Sequence, residues 1–238
     1  MTSVTFAKGL CEREAKPSDF LKVIGTMEKH AKTISSDTMG ESPARFHDPH
    51  YIARVGMIAA VYAAATLATM MFLGSLAWGP VQFRVSEALC VLALFTPAAV
   101  PGLTLGCAIA NIANIALSGT GMLGMLDVVF GSLATFAGAS FTWRLRNRPA
   151  LALVGPVVAN ALIVPAYLPL LLQGIGFYTI PFTSISLDGT YPLMYLFGLV
   201  TTGLGEAVIM YLLGYPLARS LAKTPLMQRE AARTGARK

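Results

Sequence analysis

The sequence predicts an all-α integral membrane protein of about six transmembrane helices, and three observations carry that prediction. The chain has 238 residues, of which 55% are hydrophobic and only 13% charged. Acidic and basic residues become very sparse between Val55 and Leu217, whereas both ends are polar and basic. Within that stretch the apolar runs lie at or near the ~17–25 residues a helix needs to cross the hydrocarbon core. A membrane domain at 51–220 is therefore expected between a polar N-terminal tail, 1–50, and a basic C-terminal tail, 221–238.

Residues 1–50 hold Pro17, Pro43 and Pro49 and no sustained apolar period. They read as a flexible tail, with a short amphipathic helix from Phe20 to Ile34 as the alternative. The start lacks the uninterrupted apolar core of a signal peptide, so the first span is expected to insert the protein itself. Met39 and Met57 leave room for a later start.

The spans are expected at Val55–Leu73, Val85–Val100, Leu103–Ser118, Leu126–Thr142, Leu151–Leu172 and Tyr191–Leu217. The second and third are short and separated only by Pro101-Gly102, a pair that ends helices by removing a donor and freeing the backbone. They read as a tight helical hairpin, one long broken helix or a re-entrant pair. Arg45 and Arg54 precede the first span, Arg144, Arg146 and Arg148 follow the fourth, and Arg219, Lys223 and Arg229 follow the last. The alternate loops hold Arg84 alone among basic residues, so the positive-inside rule puts both termini in the cytoplasm. Trp78 and Tyr178 fall where amphipathic rings favour the outer water boundary.

Several function classes are disfavoured. The net charge of +6 is concentrated outside the apolar region, which argues against a nucleic-acid surface. Cys11, Cys90 and Cys107 are too few and scattered for a disulfide framework, and no metal-ligand spacing is present. Cys90 and Cys107 read as small packing residues. There is no GxxxxGK[ST] loop, so ATP is not bound by that route. His30, His47 and His50 all precede the first span, which disfavours a Ser–His hydrolase or a histidine-ligated intramembrane metalloenzyme. No repeat suggests the two inverted halves of a secondary transporter.

The polar residues inside the apolar region are the candidates for function, because a charge at mid-bilayer depth costs roughly 2.5–3.5 kcal/mol on insertion scales. Arg84 and Glu87 open the second span and Asp127 opens the fourth, all on the outer side. Glu206 lies near the middle of the sixth span and Asn160 near the middle of the fifth, while Asn111 and Asn114 share a face of the third. Together they form a candidate ligand site, a cavity expected to open outward. Glu87 and Asp127 also suit a helix N-terminus for purely structural reasons, and Asn160 suits a helix-joining hydrogen bond. Arg84 and Glu87, three apart, are expected to form an ion pair. On the first span Ala59 and Ala63 form one line of small residues and Ala60, Ala64 and Ala68 an adjacent one. Such lines let another backbone approach closely, within the bundle or from a partner.

Specific segments carry a resemblance. Gln82-Phe83-Arg84-Val85-Ser86-Glu87-Ala88-Leu89, Phe95-Thr96-Pro97-Ala98-Ala99-Val100-Pro101-Gly102 and 126–135, which reads LDVVFGSLAT, resemble the QueT family in order. Pro156-Val157-Val158-Ala159-Asn160-Ala161 and Gly203-Leu204-Gly205-Glu206 extend the likeness, which covers about 52–220. The tail before residue 50 is unlike that family's short start.

The resemblance implies a substrate-binding (S) component of an energy-coupling-factor (ECF) transporter, with that family's six-helix bundle, in the cell membrane. It implies capture of a queuosine precursor, a deazaguanine base, from outside. Partners would be a transmembrane coupling protein and two cytoplasmic ATPases, which hydrolyse the ATP; this chain would bind no cofactor and catalyse nothing. Ala59, Ala60, Ala63, Ala64 and Ala68 would then face the coupling protein. The base presents parallel donors that suit a carboxylate and a carbonyl that suits Asn or Arg, while Phe83 and Phe130 are candidates for stacking on the ring. The rival readings are an S component for another vitamin, a stand-alone ion-coupled carrier titrating at Glu206, and a membrane scaffold.

Overall fold

The structure, a computed structural model, describes residues 48–73, 84–119, 121–174 and 191–234, without the side chains of 168 and 171–174. The N-terminal segment with its Phe20–Ile34 reading, together with Phe83, Trp78 and Tyr178, lies outside these residues. Pro49–Lys238 forms one compact unit, and every regular element among the described residues is helical. In chain order these are α1 (Pro49–Leu73), the short 3₁₀ helix α2 (Val85–Leu94), α3 (Ala99–Ser118), α4 (Gly121–Arg144), α5 (Val154–Gly174, led in by a turn at Pro149–Ala152), α6 (Tyr191–Leu221) and α7 (Pro225–Arg233). Five stretches are long and apolar enough to cross a membrane: α1, α3, α4, Pro149–Tyr167 and α6. Their outer faces carry Leu, Ile, Phe and Met side chains such as Phe72, Leu117, Leu162 and Leu212, as lipid contact requires.

The second apolar segment departs from expectation. It runs as ten 3₁₀ residues, Val85–Leu94, about 20 Å at a rise of about 2.0 Å per residue and short of the ~30 Å hydrocarbon core. The break between the second and third segments also moves. It falls at Phe95–Ala98, where Pro97 offers no donor, while Pro101 and Gly102 sit in the first turn of α3. A proline there is tolerated because the first-turn N–H groups have no intrahelical acceptor in any case. Gly102 and Gly106 then serve packing instead of termination. A Cβ on Gly106 would stand 2.7 Å from the Ala59 carbonyl and 2.8 Å from Tyr62 Cβ, so only glycine lets α1 and α3 meet this closely.

Both α4 and α6 contain a π-helical turn, Asp127–Gly131 and Ile209–Gly214. Such bulges recur at functional sites because they redirect side chains from the regular spacing. Within the stretch expected as a basic tail, 221–238, Pro225–Arg233 forms α7, which is fastened to the bundle. Glu230 pairs with Arg54 of α1, and Thr234 Oγ1, 3.0 Å from the Glu230 carbonyl, also lies 3.3 Å from the Phe95 carbonyl. This end of the bundle gathers Arg54, Arg146 and Arg219.

Candidate ligand site

The depths of the polar residues follow from helix rise. Phe95, Pro149 and Ala218 line one cavity and so share a level at the basic end. Counted from there at about 1.5 Å per residue, Asn160 and Glu206 lie about 16–18 Å along α5 and α6. At about 2.0 Å per residue, Glu87 and Arg84 lie about 16 and 22 Å along the 3₁₀ segment. Because α2 is only ten residues long, residues expected at the outer mouth lie at nearly the same depth as Glu206.

Three carboxylates meet this region in three different states. Asp127, on the π turn of α4, accepts from Arg84 Nη2 at 2.9 and 3.2 Å and from Tyr167 OH at 2.5 Å. Asn111 Nδ2 donates to the Asp127 carbonyl at 2.8 Å. Gly131 closes this cradle: a Cβ there would lie 3.0 Å from Asp127 Oδ1 and 3.1 Å from Asn111 Nδ2. Tyr167 stacks on Phe130, with centroids 5.7 Å apart. The pair expected between Arg84 and Glu87 does not form, because Arg84 turns across the bundle to Asp127, 43 positions away.

Glu87 is fully buried and enclosed by donors of its own chain. Tyr62 OH and Thr135 Oγ1 (3.2 Å) donate to Oε1, and Cys90 Sγ (3.2 Å) donates to Oε2. Thr135 Oγ1 is also 3.2 Å from the Gly131 carbonyl, so its single proton is shared. Beside them the Thr66 and Ser86 hydroxyls lie 2.7 Å apart.

Glu206 differs from both. It is buried on α6 one turn after Thr202, with Asn160 of α5 as its polar neighbour, within electrostatic reach of Glu87 and Arg84. Among the described residues, Glu206 Oε1, Asn160 Nδ2, Thr202 Oγ1, Asn111 Oδ1, Ser132 Oγ and Arg84 Nε are buried without a hydrogen-bond partner. Each unmet group costs about 1–3 kcal/mol, and buried polar groups as a rule are hydrogen-bonded, which makes these atoms candidate ligand contacts. The set contains acceptors (Glu206, Asn111), donors (Asn160, Arg84) and two hydroxyls that serve as either.

Arg84, Glu87, Asn111, Asp127, Asn160 and Glu206 therefore converge, and Asn114 is buried on the same α3 face, three residues beyond Asn111. Phe130 is partly exposed against Tyr167. The alanine lines separate. Ala59 and Ala63 are buried, Ala59 directly against Gly106 of α3. Ala60, Ala64 and Ala68 are exposed on α1. Sequence reasoning passed over Tyr62, Thr135, Tyr167, Ser132 and Thr202. The i, i+4 spacing of Thr202 and Glu206 was the available signal, since it puts a hydroxyl and a carboxylate on one helix face.

Helices long enough to span a bilayer, surrounding a buried polar cluster, mark a multi-pass membrane protein. The chain belongs to the QueT transporter family, whose sequence model matches residues 52–223. A stretch of 97 residues, 41% of the chain, is 32% identical to the queuosine precursor transporter QueT of Lactococcus lactis subsp. cremoris (strain MG1363) and covers 52% of that protein. The chain thus spans about half the length of the curated relative it matches. No solved structure matches it.

Proposed function

We propose that this chain is the substrate-binding S component of an ECF-type transporter and that it captures a queuosine precursor. The substrate follows the relative's name, and the S-component role follows the resemblance of the QFRVSEAL segment, 82–89. One structural observation carries the reading. The unmet polar atoms around Glu206 have the mixed donor and acceptor character that a deazaguanine base requires. The ring N–H and exocyclic amine, two parallel donors, match the open carboxylate of Glu206, and the ring carbonyl takes a donor from Asn160 or Arg84. Asp127 and Glu87, already satisfied by the chain, hold the walls in place.

In this reading the chain sits in the cell membrane with the basic end, Arg54, Arg146 and Arg219, toward the cytoplasm. A separate coupling protein meets the exposed Ala60, Ala64 and Ala68 line, two ATPases supply the energy, and this chain is not an enzyme. Mass spectrometry of the small molecule carried through purification of the solitary protein tests the substrate. A deazaguanine base is expected; a different vitamin overturns the assignment. Uptake in vesicles should require the coupling protein and ATPases, and uptake by the chain alone would favour an ion-coupled carrier instead.

A further inference from the structure

At the basic end, away from the ligand site, lies a cavity of about 450 Å³ bounded by the end of α2, the start of α5, the end of α6 and α7. Its polar lining includes Arg146 and Arg219, and its apolar lining includes Leu94, Phe95 and Tyr215; no carboxylate lines it. Glu230 of α7 is engaged by Arg54 and Arg233 and is not part of the lining. Each arginine lies over an aromatic ring: the Arg146 guanidinium carbon is 4.0 Å from the Trp143 ring centroid and that of Arg219 is 4.8 Å from the Tyr215 centroid. Arg146 Nη1 donates to the Trp143 carbonyl at 3.1 Å, while its Nε is buried with no partner. Lys223 adds a third cation in an adjoining depression shared with Arg219 and Gln228.

Two guanidinium groups over aromatic rings, with no counterion among the described residues, call for an anion with several oxygen acceptors, and Arg is the side chain that suits phosphate bidentately. The surroundings point to the source. Phe141 and Leu151 are exposed close in sequence to Arg146, and Tyr211 and Leu212 about two turns before Arg219. A molecule bound here would meet cations at its head and lipid-facing side chains along its length. We infer that this cavity is a binding site for the phosphate headgroup of an anionic phospholipid of the leaflet at the basic end. Basic pockets between transmembrane helices bind such headgroups elsewhere. The chemistry does not depend on the substrate assignment, and only the naming of the leaflet as cytoplasmic rests on the orientation above.

The test is native mass spectrometry of the full chain released from detergent with matched phosphatidylglycerol and phosphatidylcholine. The wild type should retain phosphatidylglycerol selectively, and millimolar inorganic phosphate should not displace it. Arg219→Gln, a change at an exposed residue, should weaken that retention about fivefold, and Arg146→Gln with Arg219→Gln about thirtyfold, as expected for roughly equal contributions per basic residue. Affinity for the transported base and the melting temperature should stay unchanged in the single variant. Equal retention of the two lipids, or undiminished retention by Arg219→Gln, overturns the proposal. Displacement by inorganic phosphate alone overturns the lipid source and assigns a soluble anion.

Discussion

Two buried carboxylates of this bundle, Asp127 and Glu206, lie in similarly apolar surroundings and are treated in opposite ways. Asp127 is met by Arg84 and Tyr167, with Asn111 fixing its backbone. Glu206 keeps an oxygen without a partner, beside an Asn160 amide and a Thr202 hydroxyl that are also unmet. Burial alone therefore does not mark a ligand group; the unfilled bond does. A residue the chain has satisfied should answer to stability measurements, and one it has left open should answer to binding.

The largest expected effect is on the satisfied side. Arg84→Met leaves Asp127 buried without its cation, and breaking a buried pair from one side costs about 3–5 kcal/mol. Thermal unfolding in detergent should show the loss. Arg84→Met combined with Asp127→Leu should recover part of it, whereas Arg84 and Glu87 should give nearly additive effects. A stable Arg84→Met protein would erase the contrast.

Glu206→Gln comes next. Loss of one charge-assisted hydrogen bond should cost about 1.5–3 kcal/mol of binding, at least tenfold in affinity. The melting temperature of the ligand-free protein should fall little, since Glu206 Oε1 has no hydrogen-bond partner among the described residues. Calorimetric titration beside a melting curve separates the two outcomes, and unchanged affinity in a folded variant removes Glu206 from the site.

The alanine lines give a smaller version of the same contrast. Ala63 is 7% exposed and faces inward, so Ala63→Leu overpacks the bundle interior and should destabilise by about 1–3 kcal/mol. Ala64→Leu, on the exposed line, should change stability by less than about 0.5 kcal/mol yet reduce co-purification with a coupling protein. Normal assembly of Ala64→Leu would leave that line as ordinary lipid-facing surface.

These contrasts mark how far the sequence reached. Apolar run length exposed the spanning helices, and charge in apolar surroundings exposed Arg84, Glu87, Asp127 and Glu206. Local spacing suggested that Arg84 would pair with Glu87, because it carries no information on a partner 43 residues away. The 3₁₀ winding of α2 was equally hidden, since an apolar run does not reveal its pitch, and that pitch sets the depth of Arg84. Tyr62, Thr135 and Tyr167 read as ordinary span residues; only the fold aims their hydroxyls at the carboxylates. The division of the alanines also needed the fold, because Gly106 chooses which line turns inward.

The central claim is that the open Glu206 oxygen holds the donor edge of the ligand. The most direct measurement is a cycle of calorimetric affinities pairing wild type and Glu206→Gln with a deazaguanine base and its analogue lacking the exocyclic amine. If the two groups bond, removing the amine should weaken wild-type binding by tenfold or more and change the Glu206→Gln affinity far less. Equal losses in the two proteins would mean that amine and carboxylate do not meet, and would contradict the account.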